Sequence, residues 1–235
     1  DTDVKNDAGR VMNLNFYDNL GYQYTAKFAI KSTGTDGKYT VELTSVLDSN
    51  NQNITAKLSK QDMAKIFGNY NADAKLGEYV LTKDYKYDSA SNSYINKTTG
   101  EKFLINKATD NSTTFVGENG SQVSITEIFS GITTTIANNI KNGTNNYKVK
   151  LDTTTGQATV TGEQTSYDLE FDTSSGKFKS IGGENPSVML NMGALSSGLI
   201  NNNRNFQNIT VDFSQCLNYE NGGKSTIGAD AGATD

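Results

Sequence analysis

Apolar residues at every second position, interrupted by short Asp-to-Gly segments, constrain the fold of this chain more than any other feature. Leu14 and Phe16 precede the segment 18–21, and alternate residues from Tyr22 to Ile30 continue the apolar pattern after it. Because side chains alternate between the two faces of a strand, this spacing puts apolar groups on one face of each strand. Asp and Asn favour turn backbone, and Gly tolerates a positive φ. The segment is therefore predicted to be the turn of a β-hairpin.

Similar hairpins are predicted in the last third of the chain. The segments 152–156 and 172–176 each begin with Asp and end with Gly, and each lies between two β-prone runs. Either segment could be taken for a calcium loop, but neither has the closing Glu that such a loop needs. A hairpin turn is the favoured interpretation of both. The further predictions are strands at 39–43, 188–192 and 209–213, a surface loop at 201–205 and an extended tail at 220–235.

Two amphipathic patterns in the middle of the chain predict helices. The first begins at the cap Ser59 and ends at Gly68. The second covers 125–141, where apolar residues recur at three- and four-residue steps after a capping box formed by Ser124 and Glu127. A run of three threonines inside the second pattern opposes the helix, because β-branched side chains lose rotamer freedom there.

The distribution of these patterns predicts how the chain is divided. Both helical patterns fall within residues 56–162, whereas the flanks are typical of nearly pure β structure. The predicted fold is mainly β: a split β-barrel or β-sandwich domain, residues 1–55 plus 163–235, with an inserted α+β domain, residues 56–162.

The charged and reactive residues argue against several functional classes. The net charge is −5 and no basic stripe is present, so nucleic acid is not an expected partner. The chain has no His and one Cys, Cys216, which removes the commonest general base, an internal disulfide and a Cys-based zinc site. Cys216 is expected to be a small buried residue. No apolar run is long enough to span a membrane. We therefore expect a protein that is not an enzyme and has no cofactor, no metal and no membrane contact.

Two alternative functions stay open. A cell-surface adhesin or carbohydrate-binding β-module would use some of the 12 Tyr as a binding platform. An enzyme with paired carboxylates would need two acids with separated pKa values in one cleft. Tyr is an ordinary strand residue, and some pairing is inevitable among 26 acidic residues, so neither pattern identifies a site.

Three segments that lie far apart carry short phrases in a fixed order. They are FYDNLGYQY at 16–24, LEFDTSSGKF at 169–178 and ITVDFS at 209–214. Together they resemble the outer β-domain of the bacterial flagellar hook protein family, with one extra residue in the turn of the second phrase. The resemblance covers the two flanks of the chain and not its middle.

The resemblance implies a structural function. It identifies the chain as a central outer-domain fragment of the hook, the curved extracellular joint that transmits motor torque to the filament, without the terminal helices and inner domain that build the tube. The partners would be other copies of the hook protein, and the isolated fragment would be monomeric. We hypothesise that exposed polar loops, such as 201–205, and the inserted domain make weak contacts between subunits. The residues that the resemblance assigns to maintaining the β-fold are Tyr17, Asp18, Leu20, Gly21, Phe171, Asp172, Gly176, Asp212 and Phe213.

Overall fold

Antiparallel strands dominate the structure, as the alternation of apolar residues predicts. The computed structural model describes residue 5 and the ranges 8–105, 112–183, 185–195, 206–220 and 225–228. Strands account for 47% and helices for 14%, and the antiparallel sheets are curled. The prediction of a mainly β protein is confirmed.

The secondary structure is named in chain order. The strands are β1 (Arg10–Tyr17), β2 (Gln23–Ser32), β3 (Lys38–Asp48), β4 (Asn71–Tyr79), β5 (Tyr85–Asp88), β6 (Ser93–Asn96), β7 (Lys102–Ile105), β8 (Thr114–Gly117), β9 (Gln122–Ser124), β10 (Lys148–Leu151), β11 (Ala158–Gln164), β12 (Tyr167–Phe171), β13 (Phe178–Ile181), β14 (Ser187–Leu190), β15 (Ile209–Asp212), β16 (Leu217–Glu220) and β17 (Ser225–Gly228). The helices are α1 (Lys60–Ile66), α2 (Ile125–Ile128) and α3 (Thr134–Asn142), and a 3-10 turn follows at Thr144–Asn146.

The chain divides into two compact units. The first contains Asp1–Tyr70 and Thr165–Asp235, and the second contains Asn71–Gln164. The second unit begins later than the inserted segment 56–162 that the sequence suggested, and it ends at Gln164, slightly beyond that segment. Residues 56–70 group with the first unit because α1 buries one face in the core of that unit.

A five-stranded sheet in the order β1-β2-β3-β12-β13 forms the main layer of the first unit. The predicted first hairpin is confirmed, since β1 pairs with β2 in an unbroken antiparallel register that puts Phe16 opposite Tyr24. The apolar face of this sheet packs against Phe67, whose ring centroid lies 4.7 Å from that of Phe28 and 5.0 Å from that of Tyr167. The sheet and the residue that follows α1 therefore share one core.

Helix α1 begins where the sequence predicts. The Ser59 hydroxyl accepts a hydrogen bond from the Asp62 N–H at 3.1 Å, which satisfies one of the free donors of the first turn. Two of the buried residues of this helix are Met63 and Ile66, and its C-cap is Phe67, one residue before the predicted stop at Gly68.

The second unit contains two sheets. One has the order β10-β11-β4, and the other joins β5 to β9 in chain order. The predicted hairpin around 152–156 is confirmed by the pairing of β10 with β11. Aromatic rings fill the core of this unit, with the centroid of Tyr94 5.1 Å from that of Phe115 and 5.5 Å from that of Phe129.

The prediction of one helix over 125–141 is wrong, because the structure has α2 and α3 with a break between them. Phe129 adopts extended backbone and forms an antiparallel bridge with Leu81. Gly131 has φ +90°, and Thr133 then caps α3 by accepting a hydrogen bond from the Ile136 N–H at 3.3 Å. The first threonine of the run that opposed the helix thus starts a new one. The predicted capping box at the start of α2 is present.

The remaining strands belong to the first unit. The predicted strands near 188–192 and 209–213 correspond to β14 and β15, which pair with each other. In the predicted tail, β17 pairs with β16. The predicted loop 201–205 lies outside the described residues. No helix in the described ranges is long and apolar enough to cross a membrane.

Candidate interaction surface

The loop between β1 and β2 is held in place by Asp18. The Oδ1 atom of this buried side chain accepts hydrogen bonds from the N–H groups of Leu20 and Tyr22, both at 2.9 Å. The Asp18 backbone N–H donates to the Tyr22 carbonyl at 3.0 Å, and the Gly21 N–H donates to the Asp18 carbonyl at 3.0 Å. Gly21 has φ +82°, which favours glycine. Asp18 and Gly21 therefore determine the conformation of this loop.

Three large side chains around this loop face solvent. Tyr17 is 66% exposed, Leu20 68% and Tyr22 60%. These three residues are called the hairpin tip below. Tyr17 and Leu20 thus contribute no side chain to the buried core, although the resemblance assigned them to maintaining the fold. Tyr22 departs from the predicted apolar face because β2 begins only at Gln23, whereas Tyr24 is buried as the alternation predicts.

A second loop completes a cleft beside the hairpin tip. The cleft measures about 270 Å³. It is lined by Asp18, Leu20, Tyr22, Tyr24, Asp48, Ser49 and Asn50. Asp48 orders its own loop, since its Oδ1 atom accepts from the N–H groups of Asn50 at 2.9 Å and Gln52 at 3.0 Å. The cleft therefore combines the exposed side chains of Leu20 and Tyr22 with fixed polar groups, which suits a contact with a protein surface or a sugar.

The second phrase forms a hairpin turn between β12 and β13. The Asp172 Oδ1 atom accepts hydrogen bonds from the hydroxyl and the N–H of both Ser174 and Ser175, at 2.6 to 3.1 Å. These bonds, the Ser174 hydroxyl first, lower the pKa of Asp172 below its usual value of 3.8. Gly176 has φ +67° and ends the turn. Phe171 is buried, 5.7 Å from the ring of Tyr39. The turn interpretation fits, because the Asp oxygen is already engaged by local donors.

The third phrase combines an aspartate that orders the following turn with a core phenylalanine. Asp212 accepts a hydrogen bond from the Ser214 N–H at 2.8 Å, which lowers the pKa of Asp212. Phe213 is buried, and its N–H donates to the Pro186 carbonyl at 3.0 Å. Cys216 is buried as expected, and burial together with the charge of Asp212 raises its pKa to about 11.

The three phrases meet in the core of the first unit. Phe16, Phe171 and Phe213 all belong to one buried cluster. The segment that follows the third phrase also touches the second phrase through the backbone, where the Asn218 N–H donates to the Gly176 carbonyl at 2.8 Å. Segments that are far apart in sequence therefore depend on the same core.

Ion pairs stabilise the surface of the main sheet. Burial by itself raises the pKa of Glu42, but the hydrogen bond from Lys31 at 2.7 Å and the charge of Lys60 outweigh it, so the pKa is lowered overall. Glu170 lies 2.9 Å from Lys179 and 3.5 Å from Lys38, and the hydrogen bond from Lys179 is the main cause of its lowered pKa.

Two neighbouring acids on β12 have opposite pKa shifts, which is relevant to the paired-carboxylate alternative. Partial burial and then the charge of Glu170 raise the pKa of Asp168, while that of Glu170 is lowered. Burial is the main cause of the raised pKa of Asp168, and the ion pairs of Glu170 cause the opposite shift, so ordinary structural interactions account for both.

In the ranges that the structure describes, no group of three or more His, Cys, Asp or Glu side chains could hold a metal ion. Comparison with protein-family models, with curated proteins and with solved structures found no significant match. The features that sequence reasoning missed are the exposure of the hairpin tip and the contribution of the 48–50 loop to the cleft. Both depend on where β2 starts and on how its neighbour pairs with it.

Proposed function

We propose that the chain is an outer-domain fragment of a bacterial flagellar hook protein. Its function is structural: copies of it contact one another in the curved extracellular joint that transmits torque to the filament. The observation that carries the proposal is that the three family phrases, which are far apart in sequence, contribute Phe16, Phe171 and Phe213 to one core. A domain interrupted by an insertion requires such distant segments to pack together.

The proposed architecture is a split β-barrel or β-sandwich domain with an inserted α+β domain. Support comes from the discontinuous first unit, which is made of Asp1–Tyr70 and Thr165–Asp235, and from the helices α2 and α3, which lie in the second unit. In this architecture Asp18, Gly21, Asp172 and Gly176 hold the turns.

The hairpin tip and its cleft are proposed as one contact surface between subunits. Exposed Tyr17, Leu20 and Tyr22 provide apolar area, and the adjoining Asp48 and Asn50 provide a polar rim. A small contact of mixed polarity holds water and rearranges at low cost, as a bending joint requires.

Immunogold electron microscopy of intact flagella from the source bacterium tests the proposal. The antibody is raised against this chain. We expect gold particles confined to the short curved segment between the cell and the filament. Antibody that has been absorbed with the purified chain is the matched control and leaves no particles there. Gold spread over the cell wall, or absent from flagella, would overturn the proposal.

A carbohydrate-binding β-module is the second candidate. The observation that favours it is the exposure of Tyr17 and Tyr22 beside fixed polar groups of the cleft, since sugars stack on aromatic rings and bond to carboxylates and amides. Label on the cell wall in the microscopy would favour this function. Saturable glycan binding that is lost in Tyr22→Ala would then identify it.

A further inference from the structure

The two edges of the main sheet differ in how they are protected. At one edge, β13 has four residues, includes Lys179, and is flanked by the bridges Lys177 to Leu217 and Ile181 to Asn185. At the other edge, β1 has eight residues, and its pairing with β2 has no register shift. Within the described ranges β1 pairs with β2 alone. Exposed edge strands are normally blunted by charges, Pro or bulges, and β1 has none of these from Val11 to Tyr17.

Alternate residues of β1 bond to β2, and this alternation, called the hydrogen-bonding phase, decides which backbone groups of β1 face outward. The Asp18 N–H donates to the Tyr22 carbonyl at 3.0 Å, which fixes this phase at the loop. In an antiparallel ladder alternate residues bond to the neighbouring strand, and the residues between them point their N–H and C=O groups away from it. Phe16, Leu14 and Met12 therefore face β2. The residues that face outward, called the open edge below, are Val11, Asn13, Asn15 and Tyr17.

We propose that the open edge pairs with the open edge of a second copy of this chain, antiparallel and centred on Leu14. In that register Asn13 of one copy lies opposite Asn15 of the other, and Val11 lies opposite Tyr17. The pairing of β-branched Val11 with the Tyr17 ring is a favourable cross-strand pair. Amide side chains meet amide side chains at the other two positions, where the Asn15 Oδ1 atom also accepts a hydrogen bond from the Thr25 hydroxyl at 2.8 Å. Each outward pair exchanges both of its N–H···O bonds across the new ladder.

The other face of β1 is complementary to itself in the same register. Met12 of one copy lies opposite Phe16 of the other, and Leu14 lies opposite Leu14. Met12 and Leu14 are only partly buried in the single chain, so pairing removes more of their surface from water. Polar residues thus oppose polar residues, and apolar residues oppose apolar ones.

Charge favours a second copy over an unrelated strand. The chain carries 21 Lys and Arg and 26 Asp and Glu, yet the seven residues from Val11 to Tyr17 are uncharged. Self-pairing of this strand therefore brings no like charges together, although the whole chain has a net charge of −5. If an unrelated strand with charged residues paired here, its charged side chains would lie opposite Asn, Val or Tyr and would have no oppositely charged partner.

The small area of one strand pair makes the association between two copies weak. One strand pair covers much less than the roughly 1,200 Å² of a stable interface, so the chain stays monomeric in dilute solution and pairs when copies are concentrated. The inference rests on the proposed function for its biological setting, where an assembly holds subunits side by side. The pairing itself is a property of the purified chain, so it can fail while the microscopy succeeds, or the reverse.

Amide exchange measured by NMR on the purified chain, from about 20 μM to about 1 mM, tests the inference. We expect exchange at Val11, Asn13, Asn15 and Tyr17 to slow several-fold as the concentration rises. Exchange at Met12, Leu14 and Phe16 stays constant, because their N–H groups already bond to β2. Exchange that is independent of concentration at the open edge would overturn the proposal, and so would a response confined to Leu20 and Tyr22.

Charge variants test the register, and the unfolding free energy of each variant is measured alongside because Asn13 lies opposite Lys27 in β2. Asn13→Lys/Asn15→Lys opposes lysines across the pair, and we expect the concentration dependence to disappear. Asn13→Asp/Asn15→Lys opposes an acid to a lysine at the same sites, and we expect protection to return at a lower concentration than in the native chain. Thr35→Lys/Gln207→Lys adds the same charge at exposed positions outside β1 and should leave the native response unchanged. If the Asp/Lys variant behaves like the Lys/Lys variant, the proposed register is wrong.

Discussion

The turns at 152–156 and 172–176 have nearly the same internal geometry, although they belong to different compact units. In each, the Asp carboxylate accepts from the N–H groups of the second and third residues after it. In each, the Gly N–H donates to the Asp carbonyl, at 2.7 Å for Gly156 and 2.8 Å for Gly176. The φ angles of these glycines are +72° and +67°. The two turns differ in the hydroxyl donors, which bond to Asp172, and in what surrounds their glycines.

The surroundings of the two glycines are of different kinds. A Cβ atom on Gly156 would meet the Cβ and Cγ atoms of Tyr87. The Gly156 carbonyl accepts a hydrogen bond from the Tyr94 hydroxyl at 3.0 Å. A Cβ atom on Gly176 would meet the backbone oxygen of Asn218. Local sequence therefore determines the conformation of each turn. The groups packed against the glycine differ: tyrosine side chains in one unit and a neighbouring backbone segment in the other.

The largest expected effect is that of Gly176→Ala. A left-handed alanine together with displaced backbone costs about 3 kcal/mol, because the Asn218 segment has to move. Gly156→Ala is expected to cost only slightly less, about 2 kcal/mol, because the added Cβ would meet Tyr87 Cβ and Cγ, which move only with the χ1 angle or the backbone of Tyr87. Urea unfolding measures both losses.

Gly21→Ala is the control for these two changes. Gly21 has φ +82° with nothing within 4 Å of an added Cβ, so only the backbone penalty of about 1 kcal/mol remains. Equal losses at all three glycines would show that the surroundings of the turns do not matter, and the comparison would fail.

Tyr94→Phe is expected to weaken only the turn at 152–156. The change leaves the buried Gly156 carbonyl without its hydroxyl donor, which costs about 1–2 kcal/mol of unfolding free energy. Faster amide exchange in β10 and β11, with β12 and β13 unaffected, would locate the loss. Tyr85→Phe, at another buried ring of the same core, is the matched control. A similar loss in both variants would mean that the hydroxyl bond is not the cause.

The smallest expected effect is a difference in pH dependence between Asp172→Asn and Asp152→Asn. Hydrogen bonds lower the folded pKa of both acids below 3.8, mainly from the Ser174 hydroxyl for Asp172 and the Thr155 N–H for Asp152. A lowered folded pKa stabilises the fold above the unfolded pKa, and this stabilisation is lost as the pH falls through the folded pKa. Asp172 accepts more hydrogen bonds than Asp152. The free energy of unfolding should therefore fall less steeply with decreasing pH in Asp172→Asn than in Asp152→Asn. Identical acid limbs for the two variants would contradict this ranking.

The features that sequence predicted well are local ones. The β1–β2 hairpin follows from alternation around the segment 18–21, and the caps Ser59 and Ser124 follow from side chains that bond within three residues. The helix over 125–141 failed because Phe129 forms a bridge with Leu81, a distant residue that periodicity does not reveal.

The candidate interaction surface was harder to predict than the fold. Tyr is common within strands, so the sequence does not mark Tyr17 and Tyr22 as exposed. Only the structure, in which β2 starts at Gln23, shows that they face solvent. The cleft needs two loops that meet across the β2–β3 pairing, which contains a register shift next to Phe28. A single-residue shift of this kind changes which side chains meet, and sequence alternation does not specify it.

Cys216 has a practical consequence for spectroscopy. The thiolate is the species that reacts with maleimide probes, and a thiol with a pKa of about 11 that is also buried is almost wholly protonated and shielded at neutral pH. A second cysteine placed on the surface, as in Leu20→Cys, therefore carries the fluorophore or spin label nearly alone. Distances between neighbouring copies can then be measured in a chain that keeps its native core intact.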